Sequence, residues 1–83
     1  MDSYYPIDVK PLEQYRLLIT FDNNEQRVFD VKPYLNDSYF APIQNIAIFN
    51  SVKINPLTIE WPGGIDMCPD ELYCNSAPLI TPF

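Results

Sequence analysis

The stretch YRLLITFDNNEQRVFDV, Tyr15–Val31, decides how the chain folds. Tyr15, Leu17, Ile19 and Phe21 alternate with Arg16, Leu18 and Thr20, the period-2 pattern of a strand with one buried face. Asp22, Asn23 and Asn24 supply turn chemistry, and Gln26–Val31 returns as the second strand of a hairpin. Loop length sets the register. A two-residue loop at Asn23-Asn24 would pair Leu17 with Asp30 and mix polar and apolar residues on each face. A three-residue loop, Asp22–Asn24, pairs Leu17 with Phe29 and Tyr15 with Val31, which gathers the odd-numbered apolar side chains on one side. That register is expected, with Asn24 in the left-handed region and a bulge-type turn. Leu18 and Val28 then share the opposite face, covered by another element or left as a small exposed apolar pair.

Upstream, Tyr4–Leu12 reads as a strand with Tyr5, Ile7 and Val9 on its inner face and Asp8 and Lys10 outward. Pro6 and Pro11 each lack an N–H, which suits an edge position. Leu12-Glu13-Gln14 turns the chain. Downstream, Lys32–Asn36 has the look of one helical or 3₁₀ turn starting at Pro33, and Asp37–Phe40 of a loop. Pro42–Phe49 reads either as a brief helix, with Pro42 at its first position and Ile43, Ile46 and Ala47 inward, or as a strand through Ile46–Phe49. Ser51–Asn55 and Thr58–Trp61 form a second hairpin across Asn55-Pro56-Leu57. Pro62-Gly63-Gly64 then ends the strand, Pro69 to about Asn75 is a closing helix, and a tail follows in which Pro78 and Pro82 prevent regular structure.

Composition bounds the molecule. At 83 residues, 47% hydrophobic, with six Tyr, five Phe and one Trp, the chain is globular rather than disordered. Nine prolines argue against long helices. The expected architecture is α+β: a small antiparallel meander sheet, two hairpins plus an N-terminal strand, with short helices including a C-terminal one. A single domain over residues 1–77 precedes a tail at 78–83. The net charge of −6, with five basic residues scattered along the chain, argues against direct nucleic-acid binding. There is no apolar run long enough to span a bilayer and no signal-peptide pattern at the N-terminus, so a cytoplasmic location with reduced thiols is expected.

The second informative stretch is WPGGIDMCPDELY, Trp61–Tyr73, which holds the tryptophan, both glycines and three carboxylates. It could be a site or a sharp reversal into the last helix. Asp66, Asp70 and Glu71 do not have calcium-loop spacing. Pro69 suits the first helical position, which leaves Asp70 and Glu71 in the first turn, where the helix dipole favours negative charge. Asp66 is expected to tie the preceding turn and Cys68 to occupy the N-cap, inert beside three carboxylates. Leu72 and Tyr73 are the helix's inward side. Trp61 either caps the core or anchors an interface. The chain has no histidine, no Gly-rich phosphate loop and no paired metal-ligand spacing. No enzyme, no cofactor and no metal are expected.

VKPL, YRLLITFDNNE and VFDVKPYL, followed by FNSVKI and IEWPGGIDMCPDELY, resemble the family catalogued as domain of unknown function 2442. The resemblance covers about residues 7 to 74, and Trp61, Gly64, Asp66, Pro69, Asp70, Leu72 and Tyr73 fall on its pattern. Cys68 departs from it where Ser or a similar residue is expected. The resemblance implies a small α+β fold with a meandering sheet and no established activity. It also implies a gene neighbour encoding another small protein, the pair acting as toxin and antitoxin, and a helix-turn-helix companion in some relatives. Residues and resemblance together lead to a non-catalytic protein-interaction module, the acidic, antitoxin-like half of a small bacterial pair, with Leu18, Val28, Trp61 and Tyr73 as candidate partner-binding residues. Self-pairing of the N-terminal strand into a homodimer is also open. The alternative is a small-molecule-sensing or regulatory domain lacking its DNA-binding companion, which calls for a concave pocket lined by aromatics and one or two carboxylates.

Overall fold

A computed structural model describes residues 4–79; the tail at 80–83, with Pro82, and the first three residues lie outside that range. The architecture is α+β. Strands β1 (Pro6–Leu12), β2 (Arg16–Phe21), β3 (Gln26–Asp30) and β7 (Ala77–Pro78) form one antiparallel sheet in the order β1-β2-β3-β7. Strands β4 (Lys53–Ile54), β5 (Ile59–Trp61) and β6 (Ile65–Met67) form a second, in the order β4-β5-β6. Two short α-helices, α1 (Ile46–Phe49) and α2 (Pro69–Cys74), and 3₁₀ turns at Glu13–Tyr15, Lys32–Tyr34 and Ser38–Gln44 connect them. No helix among the described residues is long and apolar enough to cross a membrane.

The β2–β3 register is the expected one. Leu17 pairs with Phe29 and Leu18 with Val28, and the Val31 N–H bonds the Tyr15 carbonyl at 2.9 Å. Asn24 has φ 67°, and the Asn24 N–H closes the turn on the Phe21 carbonyl at 2.8 Å. Leu17, Ile19, Phe21, Phe29 and Val31 are all fully buried. Ile59, Trp61, Ile65 and Met67 of the second sheet join them, with Ile43, Phe49 and Leu72 from the connecting elements, in one core.

The first strand follows the pattern only in part. Val9 packs against the core, but Tyr5 and Ile7 are 40% and 52% exposed. A bulge accounts for this. Pro6 opposes Phe21 and Asp8 opposes Thr20, so Ile7 has no partner residue and the alternation reverses across it. Pro6 takes the buried place instead. β1 is an edge strand, as its prolines suggested. The turn into β2 places Gln14 and Tyr15 at φ 61° and 57°, a conformation that non-glycine residues adopt at a cost. Two bonds hold it: Lys32 Nζ donates to the Gln14 carbonyl at 2.9 Å, and the Tyr15 carbonyl accepts from Val31.

Between the sheets the helical alternative is correct for residues 46–49, but the boundaries differ. Asn45, not Pro42, starts the helix, its side-chain oxygen accepting from the Ala47 N–H at 2.9 Å. Ile46 is 51% exposed and Ala47 is exposed, so the inward residues are Ile43 and Phe49. Residues 38–40, expected as loop, belong to the 3₁₀ segment Ser38–Gln44, capped by Asp37 Oδ1 on the Tyr39 N–H at 2.9 Å. The second hairpin forms as expected, with Ile54 opposite Ile59, although Leu57 points away, 67% exposed. A third strand, β6, was not legible. Nor was β7: Ala77 and Pro78 pair with Val28 and Arg27 where a structureless tail was expected. Pro78 is tolerated because β7 lies at the sheet edge.

Candidate functional site

The Trp61–Tyr73 segment is a chain reversal followed by a docked helix. Trp61 is fully buried and donates its indole N–H to the Phe49 carbonyl at 3.1 Å. Its ring stacks on Phe49, 6.3 Å between centroids, and meets Phe40 edge-on at 6.5 Å. Gly63 and Gly64, at φ 93° and 79°, turn the chain back into β6, a conformation open to residues without a Cβ. Pro69 opens α2, with Asp70 and Glu71 in the first turn. Cys68 is the N-cap and makes no side-chain capping bond, so the helix relies on proline and charge rather than on a hydroxyl. Both cysteines are free and exposed.

Tyr73 holds the helix to the hairpin. Its ring lies 5.0 Å from those of Phe21 and Tyr4, and the Arg27 guanidinium sits over it at 4.5 Å. The Tyr73 hydroxyl donates to Glu25 Oε1 at 2.6 Å. Arg27 also pairs with Glu25 and donates to Ser76 Oγ and the Ser76 carbonyl, both at 2.7 Å. The Tyr73 hydroxyl bond, reinforced by Arg27, holds the Glu25 carboxyl below its ordinary range. The same bond to Glu25, with burial, raises Tyr73. A second tie runs from Tyr34, whose hydroxyl donates to Glu71 Oε2 at 2.6 Å; burial and that bond raise Tyr34. Neither Arg27 nor Glu25 stood out in the sequence. Arg27 lies on the core-facing side of β3, opposite Ile19, a parity that marks it as a half-buried cation needing partners.

The four candidate contact residues therefore separate. Trp61 is wholly internal and cannot meet a partner in this conformation. Tyr73 is half-buried with its hydroxyl engaged. Leu18 and Val28 do come together, paired across β2 and β3 on the outer face, half-buried and outside the core cluster. Lys10 and Ala77 extend their row onto the neighbouring strands. The three carboxylates of the segment do not converge. Asp66 does not tie the glycine turn; it faces outward from β6 and accepts from Tyr39 Oη at 3.2 Å. Glu71 turns to Tyr34 and Asn75, and Asp70 is exposed.

An open cleft of about 540 Å³ lies on the second sheet. The turn Asn55–Thr58, Glu60 of β5, Asp66 and Met67 of β6, and Cys68 and Pro69 line it. Glu60 and Asp66 are directly opposed across the strands. Asn55 Nδ2 donates to Glu60 at 2.9 Å, and Lys53 Nζ approaches it at 3.9 Å. No aromatic residue is part of this lining.

With that geometry in hand, the family is decided by one match. The family model described as protein of unknown function (DUF2442) matches residues 6–78. The chain belongs to this family. The DUF2442 match spans every described strand, from the bulged β1 to β7, so the core, the Arg27 clamp and the cleft all lie within the family domain. No curated protein and no solved structure matches the chain.

Proposed function

We propose that this DUF2442 domain is a non-catalytic protein-interaction module, the acidic, antitoxin-like partner in a small protein pair. The observation that supports it is the outer face of the first sheet. Leu18 and Val28 stand side by side on regular strands, outside the core cluster, and apolar Leu12 and Ala77 lie on the same face. Charged Lys10, Asp8, Arg16 and Asp30 ring them, the apolar-centre, polar-rim layout of a contact surface. The net charge of −6 favours encounter with a basic partner. The sensing alternative is less well supported: the cleft offers two carboxylates but no aromatic lining.

The test is co-expression with the small protein encoded beside this one, then size exclusion at micromolar concentration. Co-elution is expected, and Leu18→Asp with Val28→Asp should abolish it while the free chain stays folded. Two separate peaks for the wild-type pair contradict the proposal.

A further inference from the structure

We infer that the cleft on the second sheet takes an extended segment of a partner protein that carries an arginine beside an apolar side chain. This rests on the interaction reading and adds to it the chemistry of what is bound. One half of the case is apolar. Leu57 has the greatest exposure of any large hydrophobic residue among those described, and Pro56 and Pro69 continue its surface. The other half is a pair of like charges. Glu60 and Asp66 face each other directly. The Asp66 N–H points outward to Tyr39 Oη at 3.1 Å, so this is the non-hydrogen-bonded type of pair, in which opposed side chains approach closest. Opposed like charges destabilise a sheet. Glu60 is partly relieved by Asn55 and Lys53; Asp66 has a tyrosine hydroxyl and makes no ion pair among the described residues.

An incoming guanidinium relieves both problems together. Its planar fork of donors reaches two carboxylates at once, which a compact ammonium does less well. Its methylene stem and an apolar neighbour cover Leu57 and Pro56. A bare hard cation suits the cleft poorly, because it needs about six oxygen ligands and the lining offers two carboxylates, the Asn55 and Thr58 side-chain oxygens being engaged with the Leu57 and Thr58 N–H groups and the Met67 carbonyl. The open shape admits a chain segment laid along the surface rather than an enclosed small molecule.

The probe is a capped Leu-Arg-Leu-Arg-Leu peptide, titrated into the isotopically labelled intact chain and followed by amide NMR shifts. Shifts should cluster at Leu57, Thr58, Glu60, Asp66 and Met67. Replacing Glu60→Gln and Asp66→Asn together should weaken binding about tenfold. The charge-matched control Asp22→Asn with Glu13→Gln, both exposed and outside the cleft, should leave binding nearly unchanged. A citrulline peptide should bind no better to wild type than to the Glu60→Gln/Asp66→Asn chain. Equal weakening by the control, or shifts spread over the acidic surface, overturns the inference. The two readings fail separately: a Glu60→Gln/Asp66→Asn chain that binds the neighbouring protein with unchanged affinity removes the cleft and keeps the module, whereas a wild-type pair that never co-elutes removes the module.

Discussion

The β2–β3 hairpin and the β4–β6 sheet are both antiparallel, yet different forces specify them. In the hairpin, five consecutive residue pairs are in register, and the alternation of apolar and polar side chains fixes that register. In the second sheet the strands are two or three residues long, too short for alternation to fix anything. Individual side-chain bonds take over. Trp61 ties to Phe49, Asn55 Oδ1 accepts from the Leu57 and Thr58 N–H groups, Thr58 donates to the Met67 carbonyl, and Tyr39 covers the free edge at Asp66. Pattern is distributed and tolerant of substitution. A few-residue framework of this kind concentrates its stability in single side chains.

The sharpest way to break this contrast is Trp61→Ala. It removes a fully buried ring and its bond to Phe49, and should cost about 3–5 kcal/mol, near the total stability of so small a domain. Urea unfolding followed by circular dichroism measures it. Gly63→Ala tests backbone alone, because no atom lies near the added Cβ while φ is 93°; a loss of about 1–2 kcal/mol is expected. Trp61→Phe keeps most of the ring and deletes the N–H donor, which leaves the Phe49 carbonyl short of a partner and should cost about 1 kcal/mol. In the hairpin, Asn24→Gly should change stability by only a few tenths of a kcal/mol, in the stabilising direction, since φ 67° suits glycine and the register is held elsewhere.

The smallest effect is pH-dependent and concerns the joint between helix and hairpin. Glu25 titrates below its ordinary value in the folded chain, so its bonds to Tyr73 and Arg27 contribute stability above the usual carboxylate pKa of about 4.3. That contribution is lost as pH falls through the lowered value. Wild type and Tyr73→Phe should therefore differ in urea midpoint at neutral pH and converge in acid. The raised pKa of Tyr73 has the opposite sense, present below about 10 and lost as pH rises through the folded value.

The same contrast explains what was legible. Tyr15–Val31 yielded register, turn length and the left-handed Asn24, because long alternation and turn chemistry agree. The closing helix was legible from Pro69 and the acidic first turn. β6 and β7 were not, being three and two residues long and stabilised by contacts distant in sequence. The β1 bulge hid behind an intact-looking alternation, and Ile7 was misassigned as a result. Of the candidate surface, Leu18 and Val28 followed from parity. Trp61 did not: a tryptophan before a glycine turn suits the core or an interface, and the core reading is the one its full burial bears out. The cleft was invisible because Glu60 and Asp66 become opposed only through a strand the pattern does not announce.

Native-state hydrogen exchange tests most directly whether Trp61–Tyr73 is architecture clamped to the hairpin. If Arg27, Glu25 and Tyr73 join α2 to β2–β3, the Leu72 and Asn75 amides, bonded to Cys68 and Glu71, should exchange with the same opening free energy as Leu17 and Phe29. Exchange of Leu72 many-fold faster than Phe29, with the hairpin still protected, would mean that α2 opens on its own and that the segment is a mobile arm rather than part of the frame.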